Sequence, residues 1–314
     1  MNILKITIQK IDSFQRRHTV LGFPYAVVKK YSDDAAGYQA ALLTYYGFLS
    51  LFPLLLVLTT LVTIIPGHDR HLQATIIEST TNYFPMLGTQ LSGHVQTIHK
   101  TGPALLIGIL FTFYGARGVA DVFRYGVNHI WQVPYAQRDG FPKSLFKSLS
   151  LVVVGGSGFM LASLISGFAA AAGHGIIFSV LSLAINIFIL FWLFLFLLQV
   201  SLPQHVTIKQ TRAGAVSAAV GLVIVQVAGG YFLTRELKSL DALYSYFAIA
   251  LGLLFWIYLQ AQTVYYAIEI TSVKSGQLWP RGINGDNPTK ADKEIHARQV
   301  TKEKLPDPES TTAT

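Results

Sequence analysis

The chain has 314 residues, 52% of them hydrophobic and only 13% charged, with a mean hydropathy of +0.45. That balance excludes one water-soluble core as the whole of the molecule and makes a bilayer the solvent for most of it. No cysteine is present, which excludes disulfides, thiolate catalysis and cysteine-bound metals, and the net charge of +8 acquires meaning only from where the charges sit.

In chain order, the first 30 residues lack the apolar core of a cleaved signal peptide. Leu4, Ile8, Ile11 and Phe14 recur at helical spacing among Lys5, Lys10, Arg16 and Arg17. This pattern predicts a basic amphipathic helix lying on the inner membrane face or against the bundle, within a cytoplasmic segment 1–38. Six apolar runs follow, at 39–65, 103–122, 145–172, 176–202, 213–233 and 243–270. Each is long enough, at 1.5 Å per residue, to cross about 30 Å of hydrocarbon. None shows the ten-residue alternation of an outer-membrane barrel. The expected fold class is an all-α integral membrane protein: a bundle of six transmembrane helices spanning 39–280, with amphipathic helices at the interfaces.

Lys and Arg then orient the bundle. Of 24, 19 lie in or at the edge of the segments on the side of both termini, and four lie opposite: Arg70, Lys100, Arg235 and Lys238. Since cytoplasmic loops carry the excess of basic residues, both termini are expected in the cytoplasm. The positive charge is accounted for by topology and by anionic headgroups on that face, so membrane lipids are the expected partners and nucleic acid is not needed.

The first run contains Tyr46, Ser50 and Pro53 on one helical face. Proline removes a helix hydrogen bond and crowds the preceding turn, which predicts a kink or local unwinding. That face either lines a polar cavity or bonds to neighbouring helices. Residues 66–100 form the expected extracytoplasmic helical segment. His68, His71, His94 and His99 within it invite a metal reading, but only the first two share a face and carboxylates are sparse, so no metal or other cofactor is expected.

The second run carries Tyr114, Arg117, Asp121, Arg124 and Asn128, spaced by three, four, three and four residues, hence one polar stripe. An arginine in hydrocarbon costs about 2.5 to 3.5 kcal/mol on insertion scales. Arg117 is therefore expected to pair with Asp121, to share an inward cavity with it, or to snorkel to headgroups. The stripe serves either as an interface anchor or as a gate with two arginines around one carboxylate.

In later runs, Ala162, Ser166 and Ala170, and Ala213, Ser217 and Gly221, are small residues four apart that let helices approach closely. Gly155-Gly-Ser-Gly158 reads as packing, not as a nucleophile turn. Glu269, near the inner end of the last run, reads as an interface carboxylate near Lys274 or as a proton carrier. After Trp279 the chain is polar and poor in apolar residues, which predicts a disordered cytoplasmic tail over 281–314.

Several of these stretches together carry a resemblance. Asp33-Asp34-Ala-Ala-Gly-Tyr-Gln-Ala-Ala-Leu-Leu-Thr-Tyr-Tyr-Gly-Phe-Leu-Ser-Leu-Phe-Pro53, Asn128-His-Ile-Trp131-Gln-Val-Pro134, Ser201-Leu-Pro203, Tyr244-Ser-Tyr246, Leu254-Phe-Trp256-Ile-Tyr258 and Glu269 occur in order. This set resembles the YihY/BrkB family of bacterial inner-membrane proteins, once labelled ribonuclease BN, over roughly Phe23 to Pro280. It departs where Ala267-Ile268-Glu269 replaces Gly-Ala-Glu and where Ser245 replaces a glycine. The resemblance implies six spans and a multi-pass protein of the bacterial plasma membrane.

No phosphate-cradling loop, HExxH or Gly-x-Ser-x-Gly elbow carries catalysis, and no exposed acidic cluster with a basic groove suits RNA cleavage. The expectation is a non-enzyme: a transporter or permease-like protein for an unidentified solute, anionic or lipid. The alternatives are a non-transporting envelope scaffold or biogenesis factor and, least favoured, an RNA-processing enzyme. The candidate pathway or pairing residues are Arg117, Asp121, Arg124, Asn128, Tyr46, Ser50, Pro53, Tyr246 and Glu269.

Overall fold

The computed structural model describes residues 10, 12–64, 102–171, 175–236, 242–283 and 287–303, with the backbone alone over parts of the long helices. The described residues are all-helical, with no strand. A short helical stretch at 12–17 leads into α1 (Thr19–Asp33). Six long helices follow: α2 (Ala36–Ile64), α3 (Gly102–Ile130), α4 (Lys143–Ala171), α5 (Gly175–Ser201), α6 (Ile208–Glu236) and α7 (Ala242–Gly276). A single 3-10 turn, Tyr135–Gln137, lies between α3 and α4, and α8 (Lys290–Glu303) is the last helix among the described residues.

Among the described residues, four helical stretches are long and apolar enough to cross a membrane: Lys143–Ala162, Val180–Ser201, Ile208–Gly229 and Ala250–Gly276. Their outward sides are clothed in apolar side chains, among them Val153, Met160, Phe188, Trp192, Ile224 and Phe255, all exposed. A soluble monomer rarely leaves such a belt bare, whereas lipid tails cover it at no cost.

The long helices close into a ring. α2 packs on α3, α4 on α5, α5 on α6, α6 on α7, and α7 returns to α2; the α3–α4 side shares the smallest face of the ring. Glycines set the tightest approaches. A Cβ on Gly214 would lie 1.6 Å from Thr271 Oγ1 and 2.7 Å from the Ala267 carbonyl, and one on Gly229 would lie 1.5 Å from the Trp256 ring. Together with Gly221, whose Cβ would meet Thr263 at 2.6 Å, these glycines put α6 directly on α7. Where α2 crosses α3, Gly115 and Gly118 receive Ser50 and Tyr46.

Both α3 and α7 end in the same hydrogen-bond pattern. Val133 N–H donates to Asn128 O (2.9 Å) and Leu278 N–H to Val273 O (3.0 Å), with Gln132 and Gln277 at φ 53° and 50°. Glycine usually takes this left-handed position, so neither stop is marked by the residue that most often signals it. Of the kink or local unwinding expected at Pro53, the unwinding does not occur: α2 runs as one continuous helix through that residue.

The end of the bundle that carries α1 and α8 has its own small core, in which Ala26, Val27, Val273, Leu278 and Ile295 are buried with Phe23, Tyr266 and Trp279 against them. Here the expected disorder of 281–314 is corrected for the described residues. Thr289 and Asp292 form a reciprocal capping box: Asp292 N–H donates to Thr289 Oγ1 (3.2 Å), and Thr289 N–H donates to Asp292 Oδ2 (3.0 Å). Ala291 and Ile295 are then buried one turn apart. A tail of low overall hydropathy thus folds because its few apolar residues fall on one face behind a strong cap.

Candidate functional site

Two assemblies of polar groups stand out, and they differ in access. The first is closed. Lys30 on α1 is 1% exposed, and its ammonium bonds the Asp34 carboxylate, Glu269 Oε2 at 3.0 Å and the Ile130 carbonyl at 2.8 Å. Glu269 is 0% exposed. Gln132 Nε2 reaches Asp34 Oδ1 at 3.4 Å, and Ser272 Oγ donates to the same Ile130 carbonyl at 3.3 Å. Burial by itself pushes an ammonium toward neutrality. The two carboxylates outweigh it and hold Lys30 above the ordinary lysine range. The expected neighbour of Glu269 is corrected here: Lys274 is exposed, and the partner comes from α1.

The second assembly lies along the α3–α4 seam and contains the polar stripe of α3. Arg117 Nε pairs with Asp121 Oδ2 at 3.4 Å, both side chains about half exposed (52% and 44%). Asp121 also accepts from the Ser148 hydroxyl. Arg124 is buried, and its Nη1 donates to Ser144 O (2.7 Å), Ser144 Oγ (2.9 Å) and Ser148 Oγ (2.9 Å), while Nη2 stands 3.7 Å from Asp139. Asp139 meets Lys143 at 2.9 Å and Lys147 as well. Burial would raise this carboxyl, but the two ammonium groups hold it below the usual carboxylate range. Asn128 Nδ2 donates to the Arg124 carbonyl (2.8 Å) and across to Ser201 O on α5 (3.1 Å). Four of the candidate residues therefore share one network that ties α3 to the start of α4 and the end of α5.

Immediately beyond that network the ring lines a partly open cavity of about 360 Å3. All six long helices contribute to its wall, including Leu43, Phe123, Gly156, Leu197, Leu222 and Val264. Ser50 and Gln260 are the polar side chains among its lining. Ser50 donates to Gly47 O at 2.8 Å, so its hydroxyl is already engaged. Of the remaining candidates, Tyr46 lies against Gly118 in the α2–α3 contact. The side chains of Pro53 and Tyr246 lie outside the described ones, as do residues 66–100, the stretch expected to be an extracytoplasmic helical segment, with their four histidines, and most of the amphipathic pattern at 1–11. Among the described residues no cluster of three or more metal-ligating side chains occurs.

Sequence reasoning missed the roles of Lys30, which it counted only among the basic residues outside the spans, and of Asp34, which it quoted only within the stretch carrying the resemblance; their i, i+4 spacing was the available signal. It also missed Ser144 and Ser148, which sit one turn apart at the start of an apolar helix and so face one neighbour. The cavity itself had no signal, because a void is a property of six helices at once.

Comparison with known proteins follows the same outline. The family model described as "Virulence factor BrkB" matches residues 27–284. The chain is 25% identical over 283 residues to a UPF0761 membrane protein of Psychrobacter sp. (strain PRwf-1), covering 84% of this chain and 51% of that protein, so it spans about half of that relative's length. It is 24% identical over 268 residues to a UPF0761 membrane protein of Vibrio campbellii (strain ATCC BAA-1116), covering 81% and 82%. No solved structure gives a significant match.

Proposed function

The chain belongs to the virulence factor BrkB family, and we propose that it is a six-span, permease-like transporter of the bacterial inner membrane, with both termini cytoplasmic and an anionic or lipid solute. The observation that carries this reading is the cavity of about 360 Å3 to which all six long helices contribute, capped at one end by the charged α3–α4 network. Its volume falls within the ~300–1,000 Å3 of small-ligand sites, and its apolar wall with few polar groups has their usual character. The reading assigns no enzymatic activity, no cofactor and no nucleic-acid partner; the basic residues serve anionic headgroups.

The test is reconstitution of the full chain in proteoliposomes, with lipid scrambling and anion flux measured in parallel. At least one should proceed, and Leu151→Trp, which fills the cavity from α4, should slow it. Folded protein inactive in both assays overturns the reading. A second reading, a non-transporting envelope scaffold or biogenesis factor, is favoured by a different observation: α1 and α8 build an ion-paired platform around Asp292 and Arg281. Cross-linking that retrieves no envelope partner counts against it.

A further inference from the structure

The cavity and the charged seam are continuous along α4. Leu151, Val152, Gly155 and Gly156 form cavity wall, and Ser148 and Ser144, one and two turns earlier, hold Arg124 and Asp121. Gly156 is both cavity wall and exposed, and nothing lies within 4 Å of where its Cβ would stand. The cavity thus reaches the outer surface of the bundle beside α4, on the side where α3 and α4 share their small face. Four cations, Arg117, Arg124, Lys143 and Lys147, surround two carboxylates, Asp121 and Asp139, in the adjoining network, which leaves a net charge of +2.

A hydrated ion is a poor occupant of this space. It would meet Ser50 and Gln260 and otherwise apolar wall, and a charge without partners in such a setting is costly. An amphiphile satisfies both parts. Resting on the reading of the cavity as the substrate site, we infer that the α3–α4 seam binds a glycerophospholipid with an anionic headgroup, taken from the leaflet beside the α3–α4 loop. One acyl chain enters past Gly156. The phosphate sits at Arg117, half exposed (52%) and next in sequence to cavity-wall Ala116, while Lys143, 61% exposed at the loop end of the seam, adds attraction for the anionic headgroup. Arg124, held by three hydrogen bonds from α3 to α4, keeps the seam in register and is a positioning residue.

The full chain in phosphatidylcholine vesicles, doped with phosphatidylglycerol bearing a photoreactive group at the end of one acyl chain, tests this. Cross-links should map to α3 between Ala116 and Phe123 and to α4 between Leu151 and Phe159. Gly156→Phe should abolish them, and Gly156→Ala should keep them. The double change Arg117→Gln with Lys143→Gln should lower labelling about fivefold or more, the scale for charges at a membrane surface, while a phosphatidylcholine probe should label the seam weakly in either protein. Labels spread evenly over the outward faces of all helices and indifferent to Gly156→Phe overturn the site. Equal labelling by the phosphatidylcholine probe overturns the anionic headgroup. The same vesicles are assayed for lipid scrambling and orthophosphate flux, which separates the two readings. Seam labelling without movement sinks transport and leaves the binding site; orthophosphate movement without seam labelling sinks the lipid site and leaves transport.

Discussion

At Lys30, a single ammonium is shared by two carboxylates and a carbonyl in a place closed to water. That ammonium is the positive partner both carboxylates have in common, and without it each is left in a closed site with its charge unpaired by Lys30. Removing the ammonium is therefore the worst change. Lys30→Met should cost about 3–5 kcal/mol, the range for breaking a buried ion pair from one side. Glu269→Gln should cost less, because Lys30 keeps Asp34 and the amide keeps shape. Thermal unfolding in detergent gives the order directly, and equal or inverted losses would refute the shared-ammonium account. Arg117 offers a contrast. Its pair is half exposed at 3.4 Å, and such pairs contribute about 0–1 kcal/mol, so Arg117→Ala should leave the melting temperature nearly unchanged.

Among the helices, glycine has opposite meanings at two places. On α6, Gly214 has the Ala267 backbone as one of its neighbours, so any side chain forces α6 away from α7. Gly214→Val should cost about 1–3 kcal/mol or more, the range for overpacking. On α4, Gly156 faces open space, and Gly156→Ala should be neutral or gain up to about 1 kcal/mol from helix propensity. Paired melting curves distinguish the two. The helices themselves were legible as long apolar runs: α2, α4 and α5 end within three residues of the expected bounds, whereas α3 and α7 run eight and six residues further and α6 begins five earlier, because helices continue into polar sequence beyond the apolar run. Other features left no trace in any one run. The small residues at 213, 217 and 221 pointed to the correct helix, but the closest contacts fall at 214, 221 and 229, since the crossing with α7 decides which small residue is used. Likewise the stripe on α3 was readable at its spacing, whereas its engagement with Ser144, Ser148 and Asp139 depends on how α4 returns. Within the tail, the described residues 287–303 were misjudged on composition, although Thr289-Lys-Ala-Asp292 spelled their cap.

The described long helices form a ring, and α1 and α8 fasten one end of it. Asp292 ties α8 to the rest: it accepts from the backbone of Gly282 (2.9 Å) and Thr289 (3.0 Å) and pairs with Arg281, which also meets Asp33 on α1 at 2.8 Å. Burial would raise its carboxyl, but those donors outweigh it and hold the group far below the ordinary value of 3.8. Because the folded value is depressed, its contribution to stability is complete above about pH 4 and is lost as pH falls toward the folded value. Acidification should therefore release α8 while the long helices persist. Trp279, which packs edge-on against Phe23 at 5.4 Å, reports the event by fluorescence, with far-ultraviolet circular dichroism as the control. Release on raising the pH instead would contradict the assignment.

The partnership of Lys30 with Glu269 joins residues 239 positions apart. During synthesis α1 emerges early, yet its ammonium has no interhelical carboxylate until the last long helix has been made and inserted. The same delay governs the return of α7 to α2 and the meeting of Arg281 with Asp33. Closure is thus a terminal event, and a ribosome stalled before Glu269 leaves an open arc of helices with a stranded lysine.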